Sequence, residues 1–197
     1  MTDPINYLIK EFVWWDFRLA TLFTVIMPLA LLIWAFLSKN SAITRSLTIY
    51  WRVSALLAIT VYLLIGNLSI GFITGWSARI LIPLSLWFWQ DLNQAIQQDP
   101  SNLKIGYIFW RWIMSSYCAI GTFTGVAFLP CSFGQELLPG ACALLLEAPQ
   151  QFKSMLHPNL TTQVLGNAAI LALLAYSIYF AIFLSYSLPR YGRIAIK

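Results

Sequence analysis

The sequence has few charged residues and almost no histidine. Only 10% of its 197 residues are charged, whereas a soluble domain has about 25%. The single histidine, His157, excludes a bis-histidine haem and a metal or chlorophyll site built from several histidines. We interpret His157 as a surface residue. The three cysteines have no CxxC spacing, which excludes a thioredoxin-type redox motif.

Catalytic signatures are also missing. The chain has no Walker loop, no HExxH zinc-protease helix, no GxSxG elbow and no carboxylate pair within an apolar segment. We therefore predict a non-enzymatic protein with no catalytic residues and no metal site. The formal net charge is +5, but the basic residues lie at the ends of apolar runs and form no continuous stripe. Nucleic acid is therefore not a predicted partner.

The amino-acid composition is dominated by apolar residues. They make up 59% of the chain, and the mean hydropathy is +0.72. Because a helix of about 20 apolar residues crosses a bilayer, the composition predicts one all-α transmembrane bundle over residues 1–197. We predict about five spans, the third of which is short enough to be re-entrant. The predicted transmembrane helices are 19–37, 48–68, 73–89, 107–129 and 164–188.

The segments between these spans predict how the chain is oriented. Residues 1–18 mix aromatic and charged side chains, which is typical of an interfacial amphipathic segment. With the N-terminus outside, eight basic residues face the cytoplasm and four face away, so the positive-inside rule favours N-out and C-in. Residues 130–163 are then a non-cytoplasmic loop, and residues 189–197 are a basic cytoplasmic tail.

A weak internal repeat is visible in the first four spans. The pattern PLxLxxW occurs at 28–34 and again at 83–89, and the helix that follows each copy opens with Trp-Arg, at Arg52 and Arg111. Hairpins offset by two spans have the same orientation, so the pattern indicates a parallel hairpin repeat. Chance similarity between apolar segments is the alternative.

Three arginines are candidate anion or lipid contacts. Arg79 lies inside the third predicted span, where it could contact an anion or substrate, or extend to the non-cytoplasmic headgroups. Arg52 and Arg111 each lie beside a tryptophan. They could jointly hold the phosphate of an anionic lipid, or they could be ordinary positive-inside anchors.

Two further sets of residues suggest structural roles. Cys131 and Cys142 lie in the predicted outer loop. In an oxidising compartment a disulfide there would close a loop of about 12 residues, worth about 3 kcal/mol in the chain-entropy model; two reduced thiols are the alternative. Gly121, Thr124 and Gly125 are small residues suited to helix packing, either within the chain or against another membrane protein.

Four features occur in the same order along the chain. They are the aromatic N-terminal segment with Asp16 and Arg18, the paired PLxLxxW helices, the Trp-Arg helix starts and the closing LPRY at 188–191. Together they resemble a family of cyanobacterial integral membrane proteins of unknown function over nearly the whole chain. The resemblance implies a thylakoid or plasma membrane, but it supplies no activity or site residues.

These observations predict an accessory or assembly protein that binds other membrane proteins, such as photosystem subunits. The absence of catalytic signatures and the abundance of surface suited to helix packing favour this interpretation. The alternative is a small-solute transporter or a lipid-handling protein that uses Arg79 with Asn67, or Arg52 with Arg111. No cofactor is predicted, although a bound lipid, or a chlorophyll held without histidine, is compatible with the sequence.

Overall fold

The computed structural model describes residues 4–135, 140–188 and 193–195, with the side chains of residues 4–6 and 187 left out. Most of the predicted basic tail, including Arg190, therefore lies outside the described residues, as does most of the LPRY sequence. The described chain is all-helical and contains five helices long and apolar enough to cross a membrane. This confirms the predicted fold class, an all-α bundle with about five spans.

Helix names follow chain order, and two π-helical turns and one 3₁₀ segment extend the helices. The elements are α1 (Pro4–Ala20), a π turn (Thr21–Ile26), α2 (Met27–Leu37), α3 (Ser41–Ile65), α4 (Ile70–Trp87), α5 (Gln90–Gln98), α6 (Asn102–Gly125), a 3₁₀ segment (Val126–Phe133), α7 (Ala141–Leu156), α8 (Thr162–Ile182) and a second π turn (Phe183–Ser187). We call the end of the bundle with the α3–α4 turn the outer end and the end with the α2–α3 turn the inner end.

The first helix does not break at residue 18, where the sequence predicts an interfacial segment to end. It continues through the π turn into α2, and Tyr7–Leu37 is one candidate span. The π turn is held by buried side chains from other helices. Trp110 Nε1 donates to the Phe23 carbonyl oxygen at 2.9 Å, and Tyr50 Oη donates to the Thr24 carbonyl oxygen at 2.7 Å. Neighbouring helices thus satisfy backbone groups in the irregular turn, so the helix can continue.

The outer end is covered by α7, which forms within the predicted loop 130–163. The buried face of α7, with Ala141 and Ala148, packs on Ile9 and Val13 of α1. Lys10 Nζ lies 3.1 Å from Glu147 Oε2 at the surface of this contact. A disulfide joins Cys131 in the 3₁₀ segment to Cys142 in α7. The beginning of the first helix, the 3₁₀ segment and α7 therefore form one layer at the outer end.

The inner end is organised by the amphipathic helix α5 and its flanking residues. Asn40 caps α3 by accepting a hydrogen bond from the Ile43 backbone N–H, and it donates another to Asp99. Asp99 also accepts from the Ser101 backbone N–H at 2.8 Å, which lowers the pKa of its carboxyl group. Because that pKa is lowered by folding, these bonds stabilise the inner end at neutral pH and weaken only in acid.

Helix α8 is peripheral and packs mainly on α3. Its buried residues are Leu165, Gly166 and Ala169, all near its beginning. Gly166 meets Gly66 at the end of α3, where a Cβ added to Gly66 would lie only 2.6 Å from the Gly166 Cα. The two helices thus touch backbone to backbone at the outer end.

Candidate functional site

The candidate site centres on Arg79, the tenth of the 18 residues of α4. Its Nη2 lies 2.5 Å from Oδ2 of Asp16, a residue of α1. The two side chains are only 23% and 25% exposed. A lone charge at the middle of a membrane helix is costly, and an opposite charge in contact lowers that cost. Arg79 is therefore held inside the protein, where Asp16 opposes its charge.

Tyr117 of α6 completes the network. Its hydroxyl donates to Asp16 Oδ1 at 2.8 Å, so the two carboxylate oxygens contact different helices. The contact with Asp16 is made through Nη2 of Arg79, whereas a guanidinium group has five N–H donors. The pair is therefore monodentate, so most of the N–H donors of Arg79 are not bonded to Asp16.

Two glycines of α6 make room for side chains of α4. A Cβ added to Gly121 would lie 2.9 Å from both Cδ and Nε of Arg79, and a Cβ at Gly125 would lie 3.2 Å from Trp76 Cδ1. Thr124, between them, bonds to the Ile120 carbonyl oxygen of its own helix at 3.0 Å. The predicted packing set thus has an intramolecular role, because its glycines admit side chains of α4.

Replacing Gly121 with alanine should disturb this site, and Gly106→Ala in the same helix is the matched control. A Cβ at Gly106 would meet nothing closer than 3.5 Å. We expect Gly121→Ala to lower the free energy of unfolding by about 1–3 kcal/mol, because the added methyl group overpacks the contact. Gly106→Ala should raise it by up to about 1 kcal/mol, because alanine has the higher helix propensity. Unfolding midpoints in detergent measure both effects. Equal midpoints for the two variants would contradict the close contact with Arg79.

A cavity of about 170 Å³ lies beside the ion pair. Side chains from α1, α3, α4, α6, the 3₁₀ segment and α7 line it, so it lies within the bundle under the outer layer. The wall is mostly apolar and aromatic, and the charged groups on it are Asp16 and Arg79. The aromatic residues that line it are Phe12, Phe17, Phe72, Trp76 and Phe128.

The structure separates Arg52 from Arg111. The Arg111 side chain is 3% exposed, with Nη1 2.5 Å from Asn93 Oδ1 and its guanidinium 4.0 Å from the centre of the Trp87 ring. Arg52 is exposed on α3. In this arrangement Arg111 is not at the lipid surface, so joint binding of one lipid phosphate by both arginines is not supported.

The other predicted residues lie at the outer end, away from the middle of α4. His157 ends α7, and its Nε2 lies 2.8 Å from the Tyr62 hydroxyl. Asn67 lies in the α3–α4 turn, where its side chain accepts a hydrogen bond from Gln150 at 3.4 Å. Neither residue lines the cavity beside Arg79.

Asp16 is the residue of the candidate site that the sequence analysis missed. The sequence pattern places it in a predicted interfacial segment and does not pair it with Arg79. The signal that could have found it is helical spacing, since Ile9, Val13, Asp16 and Ala20 follow one another at intervals of three or four residues. Such residues share one helix face, which would have placed the carboxylate among buried side chains.

Comparisons with known proteins support a family assignment. Searches of curated proteins and of solved structures found no significant match to this chain. The family model described as "Protein of unknown function (DUF3177)" matches residues 10–196. Because that match covers nearly the whole chain, the protein belongs to the DUF3177 family.

Proposed function

We propose that this protein is a membrane carrier for small organic anions and that Arg79 is the anion contact. The observation that carries the proposal is the Asp16–Arg79 pair on the wall of a cavity inside the bundle. An ionisable residue at membrane depth that faces a cavity is typical of a substrate pathway. This develops the transporter alternative of the sequence analysis, with Asp16 in place of Asn67.

The cavity wall indicates the class of ligand. A cavity of about 150 Å³ can hold benzene, so the 170 Å³ available here fits a small ring or a short chain. Aromatic and aliphatic side chains suit an apolar body, and the guanidinium suits a carboxylate or sulfonate group. The expected ligand is therefore a small amphipathic monoanion.

Asp16 competes with such a ligand for Arg79. An incoming anion would share the guanidinium and be repelled by the carboxylate, so binding favours release of Asp16 from Arg79. Asp16 lies one turn before the π turn Thr21–Ile26, and π turns are frequent at functional sites. Release would free α1 to move relative to α4 about this irregular turn, which gives the carrier a conformational step.

Ligand binding provides the first test, with benzenesulfonate as the probe and benzyl alcohol as a neutral control of similar shape. Purified protein should be stabilised by benzenesulfonate and not by the alcohol. Asp16→Asn should bind the probe at least tenfold more tightly, because the competing carboxylate is removed. The double variant Asp16→Asn with Arg79→Gln should lose binding although it keeps two polar side chains. If the ion pair has only a structural role, neither the wild-type protein nor any variant should bind benzenesulfonate.

Uptake into proteoliposomes provides the second test. Benzenesulfonate stays charged at all working pH values, so its leakage through lipid is slow. We expect uptake by the wild-type protein and none by the double variant, with correct folding of both checked by size exclusion. Binding without uptake would refute the carrier role while leaving the anion site in place. Uptake by the double variant equal to wild type would refute the role of Arg79.

The accessory role, with photosystem subunits as partners, stays a prediction. It rests on exposed apolar helix surface, which every membrane helix that faces lipid also presents. The cyanobacterial source and the thylakoid or plasma membrane location likewise rest on the sequence resemblance. A carrier of organic anions fits either membrane.

A further inference from the structure

A second cavity lies on the other side of the bundle, beside α8. Helix α8 is buried only near its beginning, at Leu165, Gly166 and Ala169. Toward the inner end, the space between α3, α4 and α8 is a cavity of about 230 Å³. Tyr176 and Val53 line this cavity, and the Tyr176 hydroxyl donates to the Val53 carbonyl oxygen at 3.4 Å. We call this space, which lies beside the second halves of α4 and α8, the wedge.

The wall of this wedge is apolar except at a few points. Leucines and aromatic rings from α4, α8 and the second π turn make up most of it. Several of these side chains also face outward, including Leu84 at 58% exposed and Tyr179 at 47%. A space bounded by side chains that face lipid is open sideways to the bilayer, so its natural occupant is a hydrocarbon chain.

Positive charge lies beside the wedge. Of the described residues that line it, Arg52 alone carries a charge. An arginine on a helix extends toward the helix N-terminus, which for α3 is the inner end. Arg193 lies nearby, because its Nε donates to the Phe88 carbonyl oxygen at 2.9 Å and its guanidinium is 5.3 Å from the centre of the Phe88 ring. Phe88 follows α4 at the inner end and lines the wedge, so a second guanidinium group lies near the inner end of the wedge.

We propose that this wedge is a binding site for one anionic phospholipid of the inner leaflet. An acyl chain occupies the apolar space between α3, α4 and α8, and Arg52 and Arg193 contact the phosphate. Charge complementarity selects an anionic lipid over a zwitterionic one. Arg193 replaces Arg111 as the partner of Arg52, because Arg111 is buried beneath α5. The site is separate from the cavity at Arg79, and Arg79→Gln should leave lipid binding unchanged.

The test is native mass spectrometry of the purified protein, titrated with phosphatidylglycerol or phosphatidylcholine. We expect one phosphatidylglycerol per chain, bound at least tenfold more tightly than phosphatidylcholine. Arg52→Gln should weaken this binding at least fivefold. Arg45→Gln is the matched control, because Arg45 is also an exposed arginine of α3 but does not line the wedge. An equal loss of phosphatidylglycerol affinity in the two variants would show that only general surface charge matters, and it would overturn the proposal.

A second pair of variants tests the acyl-chain part of the site. Leu84→Trp fills the wedge from a position that is already exposed, so the fold should tolerate it. Leu171→Trp places the same side chain on α8 at a residue that is 69% exposed and outside the wedge. We expect Leu84→Trp to abolish phosphatidylglycerol retention and Leu171→Trp to preserve it. Equal retention by both variants, or equal affinity for the two lipids in the wild-type protein, would overturn the proposal.

Discussion

Asp16→Asn alone should lower the free energy of unfolding by about 3 kcal/mol. The double variant Asp16→Asn with Arg79→Gln should be destabilised far less. Removing one partner of a buried ion pair leaves the other charge uncompensated, which costs about 3–5 kcal/mol, while replacing both is often nearly neutral. We expect the lower end of this range because both side chains are about a quarter exposed. Equilibrium unfolding in mixed detergent micelles, run as a double-mutant cycle, measures the coupling.

The matched control for this cycle is the surface pair of Lys10 and Glu147, in which the side chains are 50% and 38% exposed. Exposed pairs contribute about 0–1 kcal/mol, so Glu147→Gln should change the unfolding free energy little. If the losses of unfolding free energy from Asp16→Asn and Arg79→Gln were additive in the double variant, the two residues would not act as a pair. That result would remove the basis for competition between Asp16 and a bound anion.

Gly66→Ala should detach α8 from the rest of the bundle. The added Cβ would lie 2.6 Å from the Gly166 Cα, and Gly166→Ala would place a Cβ 2.9 Å from the Gly66 Cα. Both contacts are with backbone atoms, which cannot move aside as a flexible side chain can. We expect a loss of about 3 kcal/mol for Gly66→Ala, at the upper end of the range for overpacking. Unfolding of each variant, compared with Gly106→Ala, measures the effect.

The double variant Gly66→Ala with Gly166→Ala sharpens this prediction. Once one alanine has forced the helices apart, the second alanine meets less steric conflict. The double variant should therefore lose less unfolding free energy than the two single variants lose in sum. Retention of phosphatidylglycerol should fall in the single variants as well, because α8 forms one wall of the wedge. A midpoint for Gly66→Ala equal to that for Gly106→Ala would show that the two backbones are not in close contact.

The fold class could be predicted from the sequence because its signal is local. Long apolar runs bounded by charged residues determine the number of spans, whatever the packing between helices. The break expected near residue 18 is an exception. Lys10, Glu11 and Asp16 look like the polar face of a surface helix, but Asp16 is turned inward and opposes Arg79. Local polarity alone cannot show that a partner from a distant helix offsets a charge.

The candidate site was harder to predict because it depends on which face each helix presents to its neighbours. Arg52 and Arg111 occupy equivalent places in a repeated Trp-Arg pattern, yet one is exposed and the other is 3% exposed. The difference arises from α5, which brings Asn93 against Arg111 and has no counterpart in the first hairpin. The sequence analysis singled out Arg79 as a charge inside a predicted span, but the structure pairs it with a residue that lies 63 residues earlier in the chain.

The peripheral position of α8 has a consequence for biosynthesis. Every residue that lines the cavity at Arg79 lies at or before Pro149, and α8 begins only at Thr162. Because a nascent chain folds from its N-terminus as it is made, the proposed anion site can assemble before α8 leaves the ribosome. The wedge exists only after α8 has entered the bilayer beside α3. Lipid binding would then come later in maturation than assembly of the cavity at Arg79, when α8 packs beside α3 and encloses a lipid of the surrounding membrane.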